Sequence, residues 1–99
     1  MKLTLLRHAI AEDKLTTQRV DKERPLTPHG RKKWIQHLEP VVDRLADIDL
    51  IISSTAIRAC QTTMLLCSLI EYPSEDIIYR DDLYDLSYSY ESIYSIIKE

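Results

Sequence analysis

Short apolar runs alternate along this chain with longer segments of helical periodicity, and that alternation restricts the possible folds most strongly. The runs have the length and composition of buried strands. They comprise residues 3–6, 50–52 and 76–79. Strands that alternate with helices imply right-handed crossovers and a parallel sheet. The sequence therefore predicts an α/β fold built on a mainly parallel sheet.

The helices between these runs carry recognisable start and stop signals. Thr27 before Pro28 has the pattern of an N-cap with proline at the first helical position, and apolar spacing extends this helix to about residue 46. Pro40 lies inside it, so we expect a kink there. Residues 53–55 offer hydroxyl caps for a second helix that ends near Ile70. A third helical stripe is formed by Tyr90, Ile93, Tyr94 and Ile97.

Length and charge narrow the class of protein. The 99 residues suit one domain, and 13 Lys and Arg against 16 Asp and Glu give a formal charge of −3. We therefore expect neither nucleic acid nor a membrane surface as a partner. No apolar run approaches the roughly 20 residues that span a bilayer, and the N-terminus lacks a signal-peptide core, which predicts a cytoplasmic protein.

Cys60 and Cys67 fall two turns apart on one helix face. They would lie roughly 10 Å from each other, which is too far for a disulfide, so they are interpreted as buried small hydrophobic residues. Further cysteines or a local histidine cluster would be expected at a metal site. The sequence therefore predicts no metal and no cofactor.

Polar residues follow two of the predicted strands directly. Arg7 and His8 follow the first, and the segment from Ser53 to Arg58 follows the second. Ligands of open parallel sheets bind beyond the carboxyl ends of the strands, so these residues should converge in one crevice. Arg58 would sit in the first turn of its helix, where a cation opposes the helix dipole. That unfavourable position suggests an anionic ligand nearby.

Three ordered motifs resemble the histidine phosphatase superfamily. They are L-L-R-H-A at the first strand, R-P-L-T-P-H-G at the first helix and S-S-T-A-I-R-A-C-Q-T at the second, and D-L-Y-D-L-S at residues 82–87 resembles the family's next segment. The short spacing is most similar to the bacterial phosphohistidine phosphatases of the SixA type. The resemblance implies a three-layer α/β/α fold of the phosphoglycerate mutase-like kind.

The resemblance also implies roles for individual residues. His8 would be the nucleophile, attacking phosphorus as a neutral imidazole, and Arg7 and Arg58 would bind the phosphoryl oxygens. Arg24 would be a further phosphate or substrate contact, although a solvated arginine before proline is as good an interpretation. Asp82 and Asp85 could supply an acid, or could simply be solvated carboxylates of a turn.

The family also uses a second histidine on a later strand, and this chain reaches Glu99 without a matching motif. His29 and His37 fall in the first helix and are interpreted as surface or boundary residues. Three strands are few for such a sheet. We therefore expect a single domain over residues 1–99 that lacks the C-terminal part of the fold. The incomplete sheet of this domain could promote self-association.

The leading hypothesis is a phosphatase that acts on phosphohistidine in a protein, with small phosphomonoesters as weaker substrates. One alternative is a catalytically impaired relative that binds phosphate or a phosphorylated partner. Another is a sugar-phosphate phosphatase or mutase, which would use the same histidine and arginines.

Overall fold

A computed structural model describes residues 4–85, and its centre is a two-stranded parallel sheet. Strand β1 (Ile52–Ser54) pairs with strand β2 (Ile78–Arg80), with Ile52 opposite Ile78. Helix α2 (Ile57–Ile70) connects them. The predicted α/β architecture with a parallel sheet is therefore confirmed, and these two strands lie one or two residues later than the sequence indicated.

The first predicted strand is not observed. Residues 4–6 belong to no strand, and the side chains of Leu5 and Leu6 are 68% and 44% exposed. A strand is stabilised by pairing its backbone groups with a neighbour. Within residues 4–85, β1 pairs only with β2, so nothing in this part of the chain shows the first run joining the sheet.

The first helix begins where the sequence predicted and changes character at the predicted kink. Helix α1 (Pro28–Leu38) starts with the Thr27 hydroxyl accepting the Gly30 N–H at 2.9 Å. From Glu39 to Leu45 the chain continues as a 3₁₀-helix instead of an α-helix. Pro40 lies at the start of this change, since proline lacks the N–H that an α-helical turn requires.

Helix α2 lacks the hydroxyl N-cap that the sequence predicted. Its N-cap is Ala56, which has no side-chain acceptor, and Ser54 Oγ accepts the N–H of Ala56 itself at 3.2 Å instead of one from the first turn. Thr55 Oγ1 donates to Asp81 at 2.5 Å, and Ser53 Oγ donates to the Ser54 carbonyl at 2.9 Å. At the other end Glu71 adopts a left-handed conformation, with φ of 59°, and stops the helix just before Tyr72, as predicted.

The hydrophobic core lies between α2, the sheet and the 3₁₀-helix after α1. Its buried members are Leu38, Leu45, Ile51, Leu66, Cys67 and Ile77. Cys67 is buried and Cys60 half-buried, and both thiols are free, which agrees with the sequence interpretation. Burial raises the pKa of both thiols, so they remain protonated near neutral pH.

The segment before α1 is held by backbone hydrogen bonds rather than by regular structure. Thr27 N–H donates to the Ile10 carbonyl at 3.0 Å, and Ala11 and Leu26 form an isolated antiparallel bridge. A short 3₁₀-helix, Asp21–Glu23, follows in the polar loop, and a short helix α3 (Asp82–Asp85) ends the described chain. The third helical stripe lies outside the described residues. Among residues 4–85, no helix has the length and apolar content to cross a membrane.

Candidate functional site

The ring of His8 is hydrogen-bonded to the backbone carbonyl of the next residue, Ala9. The ring Nδ1 lies 2.6 Å from the carbonyl oxygen of Ala9, and the side chain is half-buried. A carbonyl oxygen can only accept, so this bond assigns the proton to Nδ1. In the neutral ring, Nε2 then keeps its lone pair and can act as a nucleophile.

The segment that carries His8 is tied to helix α2. Ala9 is 4% exposed, and its N–H donates to Thr62 Oγ1 at 3.0 Å. Thr62 Oγ1 in turn donates to the carbonyl of Arg58, one turn earlier, at 2.7 Å. Two hydrogen bonds therefore connect the backbone next to His8 to the backbone of Arg58.

Arg58 occupies the first turn of α2, as predicted, but its cation has a partner within the chain. Its Nη2 donates to Asp21 Oδ2 at 3.1 Å and its Nη1 to the Asp21 backbone carbonyl at 2.8 Å. The Arg58 side chain is only 13% exposed. The anion that the sequence led us to expect at this helix end is thus, in part, the carboxylate of Asp21.

Arg24 meets the same carboxylate from the other side. Its Nε and Nη2 lie 3.1 and 2.9 Å from Asp21 Oδ1, and the side chain is 12% exposed. Tyr84 donates its hydroxyl to Asp21 Oδ2 at 2.5 Å, and its ring centroid lies 5.7 Å from Arg58 Cζ. Asp21, Arg24, Arg58 and Tyr84 therefore form one cluster, which we call the Asp21 cluster.

Electrostatics in the Asp21 cluster favour the ionised carboxylate. The Tyr84 hydroxyl, Arg24 and Arg58 together hold the pKa of Asp21 well below its usual range, outweighing partial burial. The Asp21 carboxylate raises the pKa of Tyr84, which keeps the phenol protonated as a donor. The cluster is consequently a fixed ion network at neutral pH.

A second network joins the loop to the ends of both strands. Asp81, directly after β2, accepts from Thr55 Oγ1 and from Lys22 Nζ, the latter at 3.1 Å. These two bonds lower the pKa of Asp81. Lys22 Nζ also lies 5.8 Å from the centroid of the Tyr84 ring. The polar loop is thus anchored beyond the carboxyl ends of β1 and β2, whereas the sequence predicted a crevice beyond the first run, which forms no strand over residues 4–6, and the run that forms β1.

The remaining predicted site residues are more peripheral. Arg7 is exposed, and no hydrogen bond or ion pair within residues 4–85 involves its side chain. Asp82, with 47% of its side chain exposed, pairs with Arg80 at 2.7 Å. Asp85 ends α3. His29 and His37 are both exposed on α1, which agrees with their interpretation as surface residues.

The sequence did not identify Asp21, Tyr84 or Thr62 as parts of the site. Asp21 lies in a polar loop without periodicity, and its only local signal is an arginine three residues later. Tyr84 belongs to the segment 82–87 that carried part of the family resemblance, so a signal was present there. Among the described residues, no group of three His, Cys, Asp or Glu side chains is arranged to hold a metal ion.

The family model of the histidine phosphatase superfamily (branch 1) matches residues 3–91, which is most of the chain. This chain belongs to the histidine phosphatase superfamily. The solved structure described as a putative phosphohistidine phosphatase SixA from Agrobacterium tumefaciens is similar, with 31% identity and a TM-score of 0.73. A protein from Nakamurella multipartitia, described in the same words, has 29% identity and a TM-score of 0.56.

The histidine phosphatase match also fixes the fold class, since the neighbours share a phosphoglycerate mutase-like architecture. The aligned region covers 94% of this chain but 57% of the Agrobacterium protein, and 80% of this chain but 41% of the Nakamurella protein. The chain therefore spans little more than half the length of the first of these relatives. No protein of curated function matches it.

Proposed function

We propose that this protein is a phosphohistidine phosphatase that works through a phosphohistidine intermediate on His8. The observation that carries the proposal is the Nδ1 bond of His8 to the Ala9 carbonyl, which leaves Nε2 as the nucleophile. Membership of the histidine phosphatase superfamily and similarity to proteins described as SixA support the same chemistry.

The reaction has two displacement steps at phosphorus. In the first, Nε2 of His8 forms a bond to phosphorus as the bond from phosphorus to the substrate imidazole breaks. In the second, water attacks phosphorus, the bond to Nε2 breaks, and orthophosphate leaves with the water's oxygen. His8 returns to its starting form, so the residue acts as a true catalyst.

Arginines would stabilise the negative charge of the phosphoryl oxygens during the reaction. Arg58 has a planar fork suited to phosphoryl oxygens, and its helix ties it to the His8 segment. Arg7 adjoins His8 and is exposed, so it can reach an incoming phosphoryl group. Arg24 shares Asp21 with Arg58, which favours a role as phosphate contact over that of a solvated arginine.

A strong general acid is not required for this substrate. The substrate ring can be protonated on its other nitrogen with a pKa near the ordinary histidine value of about 6.5, and in that form it leaves as a neutral imidazole. Asp82 is engaged with Arg80. We therefore assign Asp82 and Asp85 at most a secondary part, which would become important only for phosphomonoesters with poor leaving groups.

The second histidine is proposed to come from outside the 99 residues, as a longer chain or a partner chain. Both other histidines are exposed on α1, and no hydrogen bond within residues 4–85 joins either of them to the Asp21 cluster. Loss of one preorganised donor slows a reaction about 10²- to 10³-fold. We therefore expect slow turnover by residues 1–99 alone, and faster turnover when the second histidine is supplied.

The proposed partners follow from this chemistry. A phosphorylated protein would be the main substrate and a small phosphomonoester a weaker one, and neither nucleic acid nor a membrane would take part. We propose a cytoplasmic bacterial protein, and the bacterial origin is supported by both neighbours. The catalytically impaired, phosphate-binding relative remains the second candidate, because 57% coverage leaves part of the related fold unrepresented.

Transfer of labelled phosphate to the chain tests the proposal. A protein carrying [³²P]phosphohistidine is mixed with the wild type, and both orthophosphate and label retained on the enzyme are measured. We expect acid-labile, alkali-stable label on the wild type, none on His8→Ala, and undiminished label on the surface control His37→Ala. Label that persists on His8→Ala would exclude His8 as the nucleophile. Vanadate binding without any label on the enzyme or release of orthophosphate would favour the catalytically impaired, phosphate-binding relative.

A further inference from the structure

The structure points to a positioning role for Asp21, supported by Tyr84: the pair holds the guanidinium groups of Arg24 and Arg58 in place for the phosphoryl group. This inference rests on the proposed function, since it assigns a purpose to residues around the same site. Neither Asp21 nor Tyr84 was among the residues suggested by the sequence.

The geometry gives Asp21 control of both arginines at once. Arg24 binds Oδ1 through two nitrogens, whereas Arg58 binds Oδ2 and the backbone carbonyl through its two Nη atoms. Long arginine side chains lose considerable rotamer freedom when they bind a ligand. Because Asp21 already orders both, part of that entropy loss occurs on folding rather than on phosphate binding.

The bonds to Asp21 leave donors available on each arginine. A guanidinium group has five N–H donors. Arg58 uses one from each Nη for Asp21, and Arg24 uses three, two for Asp21 and one for the Glu12 carbonyl. Three donors on Arg58 and two on Arg24 are therefore not used in these bonds, so Asp21 can hold one edge while an anion binds another.

Tyr84 supports the carboxylate and the cation together. Its hydroxyl donates to the same Oδ2 that Arg58 binds, and its ring lies 5.7 Å from Arg58 Cζ. The hydroxyl restrains the carboxylate, while the ring face attracts the guanidinium. A change at Tyr84 should therefore affect Arg58 without removing any charge.

The alternative role for Asp21 is competition with phosphate for the arginines, and it predicts the opposite change in anion affinity. If the carboxylate merely competed with phosphate for the arginines, its neutralisation would strengthen anion binding. If it positions them, the same change weakens binding, because Arg24 and Arg58 must then be ordered by the ligand. The direction of the change in vanadate affinity therefore separates the two roles.

The experiment measures orthovanadate affinity by calorimetry for the wild type, Asp21→Asn and Glu23→Gln. Glu23 lies on the same 3₁₀-helix and is exposed, so its variant loses the same charge without touching the arginines. We expect about tenfold weaker binding for Asp21→Asn, from the ordering of two arginine side chains, and little change for Glu23→Gln. Equal or tighter binding by Asp21→Asn would overturn the positioning role.

A double-mutant cycle distinguishes positioning from a general structural effect. If Asp21 acts largely through Arg58, the loss caused by Asp21→Asn should shrink to about threefold or less in an Arg58→Ala background. An undiminished, additive loss would show that Asp21 does not act through Arg58 and would contradict the inference that it positions both arginines. Should Asp21→Asn fail to fold, Tyr84→Phe is measured instead, with weaker vanadate binding expected and unchanged binding counting against the role.

The labelling experiment with phosphohistidine keeps the two proposals separate. Label on His8 with unchanged vanadate affinity in Asp21→Asn would remove the positioning role and leave the proposed function standing. Weaker vanadate binding in Asp21→Asn without any label on the wild type would support the positioning role and contradict the proposed function.

Discussion

The backbone N–H of Ala9 lies 3.0 Å from Thr62 Oγ1, and this bond connects the segment of His8 to the helix of Arg58. Both partners are buried, with Ala9 4% and Thr62 6% exposed. His8, the proposed nucleophile, and Arg58 come from parts of the sequence about fifty residues apart, and the Ala9–Thr62 bond connects their two segments. Its loss should therefore affect stability and anion binding together.

We expect Thr62→Val to destabilise the fold by about 1–3 kcal/mol, because the variant keeps the shape of threonine but leaves the buried Ala9 N–H without its acceptor. Urea unfolding measures the change in stability, and vanadate titration measures the effect on the site. Thr62→Ser retains the hydroxyl and serves as the control. A Thr62→Val protein as stable as Thr62→Ser would show that the bond contributes little.

Arg58→Ala should weaken vanadate binding by about 1–3 kcal/mol, the range for losing a charged hydrogen-bond partner. Calorimetry on both proteins measures the difference. Arg19→Ala is the matched control, since Arg19 is 56% exposed and pairs with the side chain of Glu12, which is not a member of the Asp21 cluster. Equal affinities for the wild type and Arg58→Ala would remove Arg58 from the proposed phosphate site.

Gly30→Ala should destabilise the protein by about 1–3 kcal/mol, the usual range for overpacking. An added Cβ would lie 2.8 Å from Ile10 Cβ and closer still to the Ile10 carbonyl oxygen, a backbone atom that cannot move without shifting the segment after His8. Thermal or urea unfolding tests this. Gln36→Ala, an exposed change on the same helix, should leave stability almost unaltered.

Stability should fall in acid because of Asp21. Its pKa is lower in the folded protein than in the unfolded chain, so the unfolded state takes up protons first as the pH drops. The stabilising contribution of Asp21 is complete above the ordinary aspartate pKa of about 3.9 and is lost as the pH falls towards the folded value. Urea midpoints between pH 7 and pH 3 measure it. Asp21→Asn should show a smaller decline than the wild type, and an identical decline would contradict the assignment.

Helix positions were predictable from the sequence because their signals are local. Thr27 and Pro28 mark the start of α1, and Pro40 marks its change to a 3₁₀-helix, through bonds to residues only a few positions away. The crossover between β1 and β2 followed from the same alternation. The prediction of a hydroxyl N-cap for α2 was wrong because Thr55 bonds instead to Asp81, a residue distant in sequence.

The site was only partly predictable for the same physical reason. His8 and Arg58 were suggested as site residues by motif and position, and Arg24 by resemblance, and all three stay predictions. Asp21 was missed because its significance depends on Arg58, 37 residues away, and on Tyr84, 63 residues away. Neither hydrophobic periodicity nor helix signals encode such a contact.

Self-association is the final prediction, and it follows from apolar side chains at the surface. Leu5, Leu50 and Ile78 are 68%, 47% and 45% exposed. Within residues 4–85, the sheet has only two short strands, so its outer edges are unpaired in this part of the chain. Unpaired strand edges beside apolar side chains favour pairing between molecules.

We therefore expect the 99-residue chain to associate as its concentration rises, and Leu5→Lys to reduce that association by placing a charge on the apolar surface. Sedimentation velocity at several concentrations measures both. Leu15→Lys is the matched control, because Leu15 is 93% exposed in the polar loop, and the same charge there should leave association unchanged. A wild type that stays monomeric at every concentration would contradict the prediction, whereas association lowered equally by both variants would indicate a general effect of charge. A decrease confined to Leu5→Lys would locate the contact at the segment before His8, where the sequence predicted a strand and residues 4–6 form none.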